Sequence, residues 1–397
     1  MEFDSSWLTV RRLRAHGLML AACLWLVYAV DLSSSGLRDF NGLIKGTDFL
    51  HFYTLGILAS HKQGALLYDM PAQSALMQQI VRGPATVYVP LYGPQVSLLF
   101  SPFALLPYGL SLAAWLLLNA TIYSLCVYAV WKCCPSLQRH GWTVMILALA
   151  FPGFFHLIAW GQTSGLALAC FTLAFLALRS GRLFLAGLAI GCLIFKPQLG
   201  LAAAVVFILR GEAKLLLGAG ISGLTQLAVG WGYYGTQVMR NYWQAWSRLG
   251  EVLPLLEPRP YQMHSLRAFW GLLLPWPGVA FGLYMASAVV ALVLVHKLWT
   301  TTLPLGLRYS GLLLATVLVS PHLTVYDLVI LAPTFLLLSD WIVETQVLWS
   351  SAIPDLLYAC YPLFLLGPAA SLTHLQLSVV AMMALLWLSN AATLNTP

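Results

Sequence analysis

A handful of polar side chains stand out in this sequence because almost everything around them is apolar. Asp48 sits in the stretch from Lys45 to Tyr53, at the start of a segment patterned as a helix. A carboxylate held there by neighbours and partly desolvated has the chemistry of a general base that takes a proton from a hydroxyl; its plainer role is to complement the positive end of a helix dipole. Lys196 ends an apolar run, and Pro197 breaks the helix beside it. An ammonium aimed into a cavity by that break suits a phosphate that gains negative charge as a group leaves it, whereas the plainer reading is an interfacial lysine that snorkels. His322, Tyr326 and Asp327 fall within one short apolar stretch. On a helix His322 and Tyr326 are four apart and share a face, with Asp327 somewhat aside, and His322 is expected to bind phosphate or assist proton transfer. Gln162 is a further helix-end polar group. His264 and Arg267 lie beside the helix that follows a long connection, where contact with a phosphate or a sugar is one reading. The nearby Trp243 and Trp246 read as an interfacial belt.

The elements that position these groups must be membrane helices. Of 397 residues, 60% are hydrophobic and 8% charged, against about a quarter charged in an ordinary soluble domain. Apolar runs recur at about 18–30, 142–159, 164–178, 183–195, 199–209, 215–234, 278–296, 309–320, 324–339, 347–366 and 375–391. Residues 92–131 are apolar but carry Pro102 and Pro107, so they cross once or form a two-crossing hairpin. The expectation is an all-α polytopic membrane protein, one domain over residues 1–397, with about twelve crossings. Arg11, Arg12 and Arg14 precede the first run as a signal peptide's basic region would, but no small-residue cleavage site follows, so an uncleaved first helix is expected. Residues 31–91 form a first outer loop, with a helix after Asp48 patterned to lie on the membrane surface and a second amphipathic piece after Pro71. Residues 235–277 form a second long outer loop.

The net charge of +7 comes from Lys and Arg placed singly at the ends of apolar runs, a topology signal and not a nucleic-acid groove. With the N-terminus inside and one crossing over 92–131, Lys132/Arg139, Arg179/Arg182, Arg210/Lys214 and Lys297/Arg308 all fall on the cytoplasmic side. The same count gathers 31–91, Gln162, Lys196, 235–277 and His322 on the outer side. Five of the seven cysteines lie inside apolar runs as small buried hydrophobes, and the adjacent Cys133 and Cys134 offer neither metal nor disulfide spacing. No glycine-rich phosphate cradle, HExxH, GxSxG or Asp-x-Asp pair is present. No metal and no cofactor is expected.

Taken in order, these segments resemble glycosyltransferase family 87, bacterial GT-C-type enzymes that include polyprenol-phosphate-mannose-dependent mannosyltransferases. The resemblance is carried by Asp48, Phe49, Phe52, Tyr53 and Gly56; by Leu67 to Asp69, Tyr92 to Pro94 and Pro102 to Pro107; and by Gly161-Gln162, Gly187 and Gly191 leading into Lys196-Pro197, His264 to Leu266, and Ser320 to Asp327. It implies a GT-C helical bundle in the bacterial inner membrane whose first outer loop carries the catalytic aspartate, facing the periplasm or cell exterior. By position Asp48 would be the base, with Lys196 and His322 near the lipid-linked phosphate. The implied reaction is inverting transfer of a hexose from a polyprenyl-phosphate donor to a hydroxyl of a glycolipid or glycan acceptor, with membrane lipids as surroundings. A secondary transporter or flippase also fits a many-helix chain with broken helices, as does a non-catalytic subunit of an envelope polysaccharide system. The long first outer loop and the lack of a repeated half weigh against the transporter.

Overall fold

The computed structural model describes residues 8–85, 87–257, 259–345 and 352–391; the regular elements among them are helices, with no strand. Helix α1 (Val10–Ser33) leads into a connection carrying α2 (Thr47–Ser60), α3 (Met70–Val81) and the short α4 (Gln95–Phe100), followed by α5 (Tyr108–Trp131). Next come α6 (Gly141–Leu149), α7 (Pro152–Trp160), α8 (Ser164–Arg179), α9 (Leu183–Gly191), α10 (Leu201–Leu209) and α11 (Ala213–Tyr234). A second connection carries α12 (Thr236–Ser247), α13 (Leu249–Leu256) and α14 (Leu266–Leu273). The chain continues through α15 (Pro277–Thr300), α16 (Leu305–Val319), the 3-10 turn Val325–Leu331 running into α17 (Ala332–Thr345), then α18 (Ala352–Leu365), α19 (Gly367–Thr373) and α20 (Leu377–Ala391). The apolar run expected from 347 is seen from Ala352; its first residues lie outside the described ones.

Among the described residues, five stretches are long and apolar enough to cross a bilayer alone: α1, α5, α11, α15 and Val325–Thr345. The pair ending in α6 and α7, bent by 45°, and the pair α18 and α19, bent by 78°, raise the count to at most 7. Helices such as α8, α16 and α20 are apolar but have only 10–17 residues, too short to span roughly 30 Å of hydrocarbon at 1.5 Å per residue. Among the described residues, length and composition support five to seven candidate spans, and the expected count of about twelve is not reached by that measure, because several apolar runs are cut by proline or glycine. Residues 92–131 contain one spanning helix: Pro102 and Pro107 fall before α5, around the turn Phe103–Leu105.

The helix after Asp48 corrects an expectation. Helix α2 does not lie on a membrane surface with one face exposed; it is buried almost all round, from Asp48 to Ala59. The reason is that α4 folds back onto it. A Cβ on Gly56 would meet the Phe100 carbonyl oxygen at 2.3 Å, so only glycine permits this approach. Phe49, Phe52, Phe100 and Trp115 then form a second aromatic core beside the main bundle. Helix α3 does have one buried face, Gln73, Met77 and Val81, at the i, i+4, i+8 spacing of a helix stripe. Elsewhere Gly187 and Gly191 bring α9 onto the backbone of α11, where a Cβ would meet Leu215 O at 2.0 Å and Ala219 O at 2.3 Å. Small residues four apart permit such close helix contact. Those two glycines thus serve packing, and the break that follows them carries Lys196.

Candidate active site

Two left-handed glycines bring Asp48 and Gln162 together. Gly46, at φ 62° just before α2, and Gly161, at φ 66° just after α7, approach each other closely. A Cβ on Gly161 would lie 2.8 Å from the Phe49 Cβ, and one on Gly46 would lie 2.3 Å from the Leu112 Cδ1. Helix α5 pins both turns. Tyr108 OH donates to Lys45 O (2.7 Å), Trp115 Nε1 donates to Gly161 O (2.9 Å) and Asn119 Nδ2 donates to Gln162 O (3.2 Å). Gln162 Oε1 accepts from Thr163 N (2.8 Å), which turns Nε2 toward Asp48 Oδ2 at 3.0 Å. Asp48 is 8% exposed. Burial raises its carboxyl from the ordinary 3.8 to about 7, against the opposing Gln162 hydrogen bond and Lys196 charge. A carboxylate that half-ionises near neutrality is matched to proton abstraction at pH 7.

Lys196 lies next to this pair but is not a free cation. Its ammonium donates to Asp327 Oδ1 (2.7 Å) and Ser164 Oγ (3.0 Å), and it sits 5.0 Å from the Tyr326 ring centroid. Lys196 and Asp327 are 4% and 1% exposed. Ser164 Oγ donates to the same Asp327 oxygen at 2.6 Å, and Asp327 Oδ2 accepts from Thr324 N in a capping box. Asp327 is thus saturated, and Lys196 and Asp327 form a neutralised pair behind the Tyr326 ring. The sequence reading aimed this ammonium into a cavity toward a phosphate, whereas in the structure it is turned to Asp327. The physical reason is desolvation: an ammonium this deeply buried needs a partner charge.

His322 corrects a second expectation. It does not share a helix with Tyr326, since helical structure begins only at Val325 with Thr324 as cap. An extended strip joins Thr324 to Met263 through an antiparallel bridge, and His264 N donates to Leu323 O (3.2 Å). Successive side chains in extended backbone point to opposite sides. Met263, His322 and Thr324 accordingly face a cavity, while Leu323 and His264 face the packed interior. His264 is fully buried, with Nδ1 2.7 Å from Ser378 Oγ and its ring edge-on to Phe364. It is therefore removed from the position beside a phosphate or sugar that its sequence neighbours suggested. Arg267 grips Glu257 through both terminal nitrogens, the Nη2–Oε2 distance being 2.9 Å, and also donates to Pro321 O (2.7 Å). His322 Nδ1 lies 3.0 Å from the same Glu257. Burial alone would raise the Glu257 carboxyl, but the hydrogen bonds and charges of His322 and Arg267 outweigh it and hold it below the ordinary range.

The cavity that these groups border is about 520 Å³ and runs between the C-terminal end of α1, the start of α2, residues 87–92, the end of α7 and residues 255–263. Asp48, Gln162, His322 and Tyr326 line it; Lys196 and Asp327 lie behind its wall. Several lining residues were not singled out from the sequence. Glu257 anchors both Arg267 and His322. His51 stands one helical turn after Asp48, is 3% exposed, and has no hydrogen-bond partner on either ring nitrogen. Burial lowers its imidazole to about 4, so it is neutral, able to donate from one nitrogen and accept at the other. Arg259 is exposed on the cavity's edge. Lys45 also lines it, but its ammonium caps α1 by donating to Leu32 O at 3.0 Å and to Ser34 O. The i to i+3 spacing of Asp48 and His51 was the one local signal that could have flagged a missed residue. Chemically the cavity offers a carboxylate suited to proton abstraction, a neutral imidazole for hydroxyls, and the Arg259 guanidinium at one edge.

Comparison with known proteins follows the same direction. A family model, that of glycosyltransferase family 87, matches residues 91–321, more than half of the chain. The match covers Gln162, Lys196, His264 and Arg267 but ends before His322, Tyr326 and Asp327 and does not reach Asp48. No curated protein and no solved structure matches.

Proposed function

The chain belongs to glycosyltransferase family 87 and is a membrane glycosyltransferase; from that premise we propose that it moves a hexose, mannose in the first instance, from a polyprenyl-phosphate donor to a hydroxyl of a glycolipid or glycan. The carrying observation is the Asp48–Gln162 pair, a nearly buried carboxylate of matched basicity on a cavity wall at one end of the bundle. In the proposed step the acceptor hydroxyl gives its proton to Asp48. The hydroxyl oxygen bonds to the anomeric carbon from the face opposite the phosphate, and the carbon–oxygen bond to the phosphate breaks with inversion.

The departing phosphate gains negative charge, which nearby cations stabilise. Arg259 on the cavity edge and His322 on its wall are suited to that role. Lys196 acts from behind Tyr326, where its pairing with Asp327 and Ser164 keeps the wall rigid and its charge close to Asp48. His51 holds a sugar or acceptor hydroxyl on its unpartnered nitrogens. A bacterial inner membrane with the cavity on the periplasmic side is the setting that the charge pattern of the loops supports. The test is transfer in proteoliposomes given a polyprenyl-phosphate hexose and candidate acceptors, read by mass spectrometry and by the anomeric configuration of the product. Wild-type transfer by Asp48→Ala, or retention of configuration, would overturn the proposal.

A further inference from the structure

A second cavity, of about 580 Å³, lies at the other end of α1 from the candidate site. Helix α1 lines it from Val10 to Cys23, against Thr143 of α6, Phe335 of α17 and Tyr358 of α18. From Val10 to Cys23 a helix rises about 20 Å, which is one leaflet of a roughly 30 Å core together with its interface. Helix α1 touches the bundle lightly: Gly17 is its one buried residue among those described. The space it leaves is apolar along its depth, with Leu13, Leu20, Tyr123 and Phe151 in the wall.

The Tyr123 and Tyr361 hydroxyls in this wall are spent on the Ala148 and Leu147 carbonyls, and the charged and imidazole side chains collect at the shallow end. Arg14 Nε donates to Thr143 Oγ1 (2.8 Å), His16 Nδ1 lies 2.9 Å from Tyr358 OH, and His140 lines the cavity there. Arg11, Arg12 and Arg139 are exposed at the same end of the bundle. Of the described carboxylates at this end, Asp340 accepts the Ser136 N–H at 2.8 Å, Glu344 is exposed, and Asp355 follows the cavity-lining Pro354. The cationic side chains outnumber them. An apolar slot one leaflet deep beneath a cationic rim matches one kind of occupant, a chain-bearing lipid with an anionic head. Its volume falls within the roughly 300–1,000 Å³ of ligand pockets.

We propose that this cavity binds one acyl chain of an anionic phospholipid, with the headgroup phosphate on Arg14 and His140, in the leaflet opposite the candidate active site. The occupant joins α1 to α17 and α18, and the inference stands apart from the reaction proposed above. Native mass spectrometry of the full-length protein in detergent, titrated with phosphatidylglycerol, phosphatidylcholine or a polyprenyl phosphate, tests it. One phosphatidylglycerol is retained in preference to phosphatidylcholine. Arg14→Gln weakens its retention about fivefold and narrows its preference over phosphatidylcholine, and Ser339→Trp, which fills the cavity, abolishes it. Equal retention of the two phospholipids, or phosphatidylglycerol binding unchanged in Arg14→Gln or in Ser339→Trp, overturns the site. Displacement of phosphatidylglycerol by polyprenyl phosphate overturns the choice of occupant.

Discussion

Replacing Asp48 by Asn separates its chemical role from its cost to the fold. Asparagine keeps the shape and still accepts the Gln162 hydrogen bond (3.0 Å in the native protein), but it cannot take a proton. Loss of a general base lowers turnover by about 10²–10⁴-fold. Stability moves the other way. A carboxyl whose value rises on folding from 3.8 to about 7 binds its proton more tightly in the folded chain, so the folded state loses stability as pH climbs through that window. The loss is complete above pH 7 and amounts to about 4 kcal/mol at 1.36 kcal/mol per pH unit. Asp48→Asn escapes it, so its advantage over wild type grows from pH 4 to 7 and is largest at pH 8. Thermal unfolding in detergent at pH 5 and pH 8, run beside transfer in proteoliposomes, reads both effects. A variant that transfers sugar within tenfold of wild type would refute the base assignment, and a stability difference independent of pH would refute the burial argument.

Gln162→Ala removes a hydrogen bond that favours the ionised carboxylate, so the acid limb of the kcat/KM profile should move to higher pH, with a larger deficit at pH 6.5 than at pH 8.5. Lys196→Met strands Asp327 in the interior and should cost about 3–5 kcal/mol, whereas Lys196→Met combined with Asp327→Asn should recover much of that; additive losses in chemical unfolding would show that the pair is not coupled. Glu257→Gln weakens the hold on Arg267 and His322. It should cost about 1–3 kcal/mol and make the 249–262 segment cleave faster in limited proteolysis with chymotrypsin, while unchanged cleavage would argue against Glu257 as its anchor. Arg259→Gln should raise the donor KM about tenfold with little change in kcat, the loss of one charge-assisted contact, and a selective fall in kcat would place the guanidinium on the transition state instead.

Much of this protein was legible without coordinates because the relevant physics is local or compositional. Apolar runs with charges at their ends require membrane helices whatever their arrangement, and the rarity of Asp48, Gln162, Lys196 and His322 within such runs marks them before any contact is known. A single helix through 108–131 needed the structure, since proline marks a break without saying on which side of the crossing it falls. Partnership was decided only by tertiary packing. Lys196 finds Asp327 across 131 residues, and His322 finds Glu257 across 65, separations over which no helical or strand period carries information. Helix α2 has the pattern of a surface helix, yet α4 covers it because Gly56 lets two backbones touch. Periodicity reports which faces a segment has, and only the surrounding fold determines what each face meets: His264 and His322, both candidates for one site by sequence, lie on opposite sides of the same paired strip.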